Sequence, residues 1–114
     1  MVVENPSLHR LFLRIDEGGQ IPLAFSLKQC YPNPFNPKTT IEFDLPNPAR
    51  VSLKVYDLLG KEVAVLAENR DYEAGTYTLQ FDASAYASGV YFYRLAASSR
   101  ENTYQKVLKM ILLR

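Results

Sequence analysis

The sequence predicts an all-β fold, about seven short antiparallel strands stacked as a two-sheet sandwich. Three observations carry this expectation. Beyond Pro37, apolar residues recur with a period of two, the mark of strands with one buried face. Clusters of Gly, Pro, Asn and Asp separate these runs every ~8 to 14 residues, the rhythm of a sandwich. Eight tyrosines and six phenylalanines, with no tryptophan, suit a pleated surface better than a helix.

Taken in order, residues 1–24 read as an arm or linker from a preceding region, and 25–114 as the sandwich. Within the arm, Leu11, Leu13 and Ile15 alternate with Phe12 and Arg14 as a short strand, and Asp16-Glu17-Gly18-Gly19 supplies a turn. Phe25 to Gln29 forms the first strand of the sandwich. It runs into Tyr31-Pro32-Asn33-Pro34-Phe35-Asn36-Pro37, where three prolines fix φ and remove backbone donors, so no helix or central strand passes through. Each proline pushes its predecessor toward extended or turn geometry. The expectation for 31–37 is a stiff, polyproline-like spacer whose Tyr31 and Phe35 lie against a domain face, with an ordinary interdomain linker as the alternative.

Ile41, Phe43 and Leu45 then share one face of a strand that Pro46-Asn47-Pro48 breaks. Val51, Leu53 and Val55 face inward next, and Asp57 to Lys61 turns with positive φ expected at Gly60. Glu62 to Ala67 places Val63 and Val65 on one side, Glu68 to Glu73 reads as a polar loop, and Tyr77, Leu79 and Phe81 alternate inward. After a corner at Asp82 to Ser88 come strands at Gly89 to Leu95 and Thr103 to Leu113. Tyr91, two residues after Gly89, stands at the start of the sixth strand. A tyrosine hydroxyl there bonds back to the preceding corner in immunoglobulin-like sandwiches, although a plain core aromatic fits equally.

Composition excludes several functions. A chain of 114 residues supports one domain. At 47% hydrophobic it is not wholly a disordered tail, and a net charge of +1 gives no field to gather nucleic acid. No apolar run approaches the ~18 residues of a membrane helix. The N-terminus lacks the order of a signal peptide, so the chain reads as cytosolic or as a piece of a longer protein. The single cysteine, Cys30, permits no internal disulfide; it is a free thiol, an intermolecular bridge or a semi-buried side chain.

No catalytic constellation emerges. His9 is the lone histidine, with no nucleophile near it. Zinc-ligand spacing and phosphate-cradling loops are absent, so no metal and no cofactor are expected. Glu42 and Asp44 read as solvated carboxylates on one strand face. Loops at Asp57, Asp71 and Asp82 hold carboxylates suited to calcium but not in a calcium-loop pattern.

The last strand breaks the alternation. Val107 to Leu113 is apolar on both faces apart from Lys109, yet a terminal strand of a sandwich sits at an edge. An apolar edge calls for cover. The readings are packing on the N-terminal arm, a dimer through Cys30 or this strand, or a recognition handle joined by strand addition at a basic tip.

With these residues assembled, the chain resembles the C-terminal sorting domains of type IX secretion cargo, the Por secretion tail family, over about residues 22–114. The resemblance rests on Phe25-Ser26-Leu27, all of 31–37, Thr39-Thr40-Ile41, Val55 to Val63, Ala74-Gly75-Thr76-Tyr77, Ala87 to Leu95, and Lys109 to Arg114. It implies an immunoglobulin-like sandwich that directs a periplasmic cargo through an outer-membrane translocon to the cell surface or the medium, with a sortase that removes it. Cleavage would fall at Asp16 to Leu23 or upstream. Two departures stand out: Cys30 replaces the usual asparagine, and the first twenty or so residues match nothing in the family. By position, the resemblance assigns Pro32, Asn33 and Pro34 to the spacer motif and Gly75, Gly89 and Tyr91 to fold geometry. It assigns Lys106, Lys109, Leu112, Leu113 and Arg114 to recognition by the export machinery. The alternatives are a non-catalytic module like that of flagellar hook-capping proteins, or a carbohydrate-binding sandwich stacking sugars on Tyr56, Tyr72 or Tyr104.

Overall fold

A computed structural model describes residues 13–16 and 19–114. Its strands are β1 (Leu13–Asp16), β2 (Gly19–Pro22), β3 (Ser26–Leu27), β4 (Lys38–Leu45), β5 (Ala49–Tyr56), β6 (Glu62–Tyr72), β7 (Gly75–Asp82), β8 (Gly89–Ser98) and β9 (Thr103–Leu112). Strands β3 to β9 make two antiparallel sheets, ordered β3-β4-β7 and β6-β5-β8-β9. Those seven strands are the expected sandwich, with the last strand at an edge. The hairpin β1–β2 precedes it, and β2 runs near β4 and β7. The turn expected at residues 17 and 18, and His9, lie outside the described residues.

Alternation builds the core. In β4 the inward residues Ile41, Phe43 and Leu45 are fully buried, as are Val51, Leu53 and Val55 of β5 across the interior. Tyr93 and Leu95 of β8 and Met110 and Leu112 of β9 complete the second sheet's inner face. Burying side chains of this kind contributes ~1.5–3 kcal/mol each, which is why register is strongly specified here. Between the sheets Phe43 packs edge-on to Tyr72, and Phe35 lies 6.1 Å from Phe81.

Two expectations need correction. Residues 68–72 are not a loop: β6 continues to Tyr72 by pairing Arg70, Asp71 and Tyr72 with Val51, Arg50 and Ala49 of β5. Asp71 and Glu68 also reach the cations of that strand, Arg50 at 3.0 Å and Lys54 at 3.7 Å. Register shifts along the β5–β6 ladder also break the alternation. Val65 is therefore exposed, while Val63, Ala64 and Leu66 pack toward the core. The second correction concerns 31–37, which is no spacer. It folds back onto the sandwich, bridging Tyr31 to Thr40 and Phe35 to Leu112. Phe35 is buried in the core, whereas Tyr31 is 81% exposed.

Turn chemistry follows residue type. Asp57 Oδ1 accepts the N–H groups of Leu59 and Lys61, and Gly60 takes φ +88°. Asp82 Oδ1 accepts from the Ser84 backbone and hydroxyl, which holds its carboxyl below the usual range. Asp71 is likewise lowered by the hydrogen bond and charge of Arg50. The three loop carboxylates considered for calcium thus serve turns and a surface ion pair. Among the described residues no three His, Cys, Asp or Glu side chains converge.

Candidate functional site

Of the residues singled out in the sequence, Gly75, opposite Leu45 on β4, and Lys106, opposite Leu95 on β8, lie apart. Asn33, Gly89, Leu112, Leu113 and Arg114 meet at the C-terminal end of β9. Its backbone groups alternate, one residue's pair pointing to β8 and the next residue's pair pointing away from the sheet. Outward groups of Lys109, Ile111 and Leu113 are met by the proline segment. Phe35 N–H donates to the Ile111 carbonyl at 2.9 Å, and Leu113 N–H donates to the Phe35 carbonyl at 3.0 Å. Pro32 and Pro34 have no N–H, so the segment cannot offer an unbroken ladder. The Asn33 amide fills the gap: its Oδ1 accepts from Ile111 N–H at 2.9 Å, and its Nδ2 donates to the Lys109 carbonyl at 3.5 Å. Gln29 Nε2 donates to the same carbonyl at 2.8 Å. The cover for the C-terminal half of this apolar edge, which the sequence left to the N-terminal arm or a mate, is the proline segment of the same domain.

The segment is itself anchored from beneath. The Thr39 hydroxyl donates to the Pro32 carbonyl at 2.7 Å, and Tyr31 exchanges two backbone bonds with Thr40, both 3.0 Å. Tyr93, fully buried on β8, accepts from Cys30 N–H and donates to the Lys28 carbonyl, each at 2.8 Å. Burial, with a further push from the Cys30 thiol, raises the Tyr93 phenol well above its ordinary range. Lys28 lies above Glu42 and Asp44 at 3.2 and 3.3 Å. Slight burial pulls its ammonium down, but those partners outweigh it and hold it above the usual value.

At the far end, Arg114 closes the corner between β7 and β8. Its guanidinium donates to the carbonyls of Ser84 at 2.8 Å and of Tyr86, and its N–H donates to the Ser88 hydroxyl at 3.0 Å. In the same corner the Tyr91 hydroxyl donates to the Ala87 carbonyl at 2.6 Å. Gly75 and Gly89 open their strands at φ +151° and +154°, a region L side chains rarely adopt.

These placements divide the recognition residues assigned by resemblance. Lys106 and Lys109 are both exposed but project from opposite faces of β9. Leu113 is 54% exposed beside Pro32 and Pro34, across a shallow cleft of about 300 Å³. Leu112 is a correction: it is fully buried in the core and offers no surface contact. Arg114 is a clamp on the corner rather than a free basic tip. Of the readings open for Cys30, the structure shows a free, buried thiol, 3% exposed, with its sulfur beside the Pro32 carbonyl. Of the sugar-stacking candidates, Tyr104 is covered by Phe25 at 5.4 Å and Tyr72 is wedged against Phe43 and Tyr77, while Tyr56 is half-buried at the end of β5. What reading the residues missed is the side-chain pairing by Asn33 and Gln29, whose partners lie about 80 positions away in the chain.

The family model described as the secretion system C-terminal sorting domain matches residues 29–110. The chain belongs to that family. The sorting domain so identified is one of the type IX secretion system, and it implies transit through the periplasm, an upstream cargo and contact with the secretion machinery. A search of curated proteins finds no match. Among solved structures, the dimeric latent PorU of Porphyromonas gingivalis aligns with TM-score 0.59 at 17% identity, over 79% of this chain and 9% of that one, which supports the sandwich fold. PorZ, a surface component of the type IX secretion system of the same organism, aligns at TM-score 0.44 and 24% identity over 80% of this chain. The sorting domain spans only 12% of the PorZ chain.

Proposed function

We propose that this sorting domain acts as a folded address, without catalytic chemistry of its own, for a cargo joined to its N-terminal side. Residues 25–114 form the address and 1–24 the connection, within which cleavage by a sortase would release or attach the cargo at the surface. The partners are components of the outer-membrane translocon. The observation that carries the reading is the family match, together with a last strand held at its C-terminal end by Asn33, Phe35 and the corner that Arg114 clamps. Such clamping presents Lys109 and Leu113 in one fixed geometry, as recognition through a preformed surface requires. Lys106 belongs to the same strand on its other face. Leu112 acts through the core.

The test is export of a reporter bearing its own periplasmic signal and this chain at its C-terminus, in a bacterium with the secretion system. Export to the surface or medium is expected, and so is periplasmic retention when Lys109 to Arg114 are deleted. That deletion also removes Met110 and Leu112 from the core, so Leu113→Glu, at an exposed position, is the cleaner variant. Unchanged export by folded Leu113→Glu would remove Leu113 from the address. Export without the chain would end the reading.

A further inference from the structure

The proline segment closes only half of the β9 edge. Gln105 and Val107 share the outward phase of Lys109 and Ile111, so their N–H and C=O groups face away from β8. No strand lies beyond β9 among the described residues, and Gln105, Lys106 and Val107 are all exposed, Val107 by 52%. The Lys109 N–H shares this exposure, since only its carbonyl is bonded by Gln29 and Asn33. Other edges of the sandwich are blunted. The β6 edge carries register shifts and Asn69 at φ +48°, β3 has two residues, and β2 runs near β7. Among the described residues one regular stretch of open edge, Thr103 to Lys109, remains.

We infer that this stretch docks an extended acidic segment of the export machinery, which adds to the sheet as a further antiparallel or parallel strand. The inference rests on the sorting-domain reading and names its contact. Charge selects the occupant. β9 has no acidic residue, and its two lysines stand on opposite faces. An added strand places its own side chains alternately on both faces, so carboxylates at suitable spacing meet Lys106 on one side and Lys109 on the other. A second copy of this chain would bring lysines to lysines, which edge charges of this kind disfavour. Backbone bonds supply the affinity of such docking, while the flanking charges supply selectivity and a dependence on salt.

The test uses the full chain and two synthetic ten-residue probes of Thr and Val carrying a pair of charges three residues apart, so that one charge falls on each face, with Glu in one probe and Lys in the other. Amide exchange is read residue by residue by NMR. The Glu probe is expected to slow exchange at Gln105, Val107 and Lys109 by about tenfold or more at saturation, equivalent to ~1.4 kcal/mol, and the Lys probe to leave them unchanged. Val107→Pro removes an outward N–H without breaking the ladder to β8, so it should fold and lose the effect. The pair Lys106→Glu and Lys109→Glu serves equally should the proline variant fail to fold. No change with the Glu probe, equal effects of both probes, or protection that grows with protein concentration alone would overturn the inference. In cells the two ideas separate. Export that survives removal of the whole chain defeats the sorting reading; export lost on removal but normal in the double lysine variant defeats strand docking alone.

Discussion

Replacing Tyr93 by Phe should loosen the joint on which the proline segment depends. The hydroxyl accepts from Cys30 N–H and donates to the Lys28 carbonyl, both at 2.8 Å, inside a side chain with no exposed surface. Removing one oxygen leaves the packing nearly intact, so the cost comes from the two abandoned partners. Cys30 is buried, and an orphaned N–H there costs ~1–3 kcal/mol. Lys28 is exposed, and water can replace part of its lost bond, worth ~1 kcal/mol. The total is ~2–4 kcal/mol, a large share of the ~5–15 kcal/mol typical of a domain. With a urea slope of ~2 kcal/mol/M, the middle of the usual range, the unfolding midpoint should fall by ~1–2 M at unchanged slope. A shift below ~0.3 M, at the same slope, would show that the bridge does not hold the segment, since it would correspond to less than ~1 kcal/mol.

Further expectations follow from the same packing. Phe35→Ala removes the buried ring that pins the segment beside Phe81 and should cost ~3–5 kcal/mol in the same unfolding assay; a loss under ~1 kcal/mol would refute its place in the core. Cys30 should react with thiol reagents at least ~100-fold more slowly in the native domain than in denaturant, and the protein should stay monomeric in air. Fast native labelling, or a reducible dimer, would contradict its burial. Because folding raises the Tyr93 phenol, its contribution is complete below the unfolded value of ~10 and is lost as pH climbs beyond it. Ultraviolet titration should therefore show at least one tyrosine, Tyr93, resisting ionisation until alkaline unfolding, and stability falling above pH ~10. All eight tyrosines titrating together near ~10 would be the contrary result.

The sandwich was legible because its inner faces are written locally. Ile41, Phe43 and Leu45, or Val51, Leu53 and Val55, show their burial in spacing alone. The failures have physical reasons too. Glu68 to Asp71 looked like a loop because β6 is an edge strand whose charged residues pair sideways with Lys54 and Arg50, and such pairs leave no period in the sequence. The proline segment read as a spacer because proline chemistry reports what a backbone cannot do locally. It does not report that Asn33 will stand in for a missing strand 78 residues away. The unusual apolarity of β9 was visible as a problem, but its answer lay in tertiary structure. Likewise Leu112 and Arg114 looked like parts of one exposed handle, and only the register with β8 and the corner at Ser84 to Ser88 separates core from clamp.

The most direct measurement is amide exchange along β9 in the unbound domain, paired with the same measurement on Asn33→Ala. The half-covered edge predicts that Ile111 and Leu113 are protected while Gln105 and Val107 exchange freely. It also predicts that Asn33→Ala speeds Ile111 by ~5- to 10-fold, the equivalent of one hydrogen bond of ~1 kcal/mol. Uniform protection along the strand, or an Ile111 rate indifferent to Asn33, would contradict it.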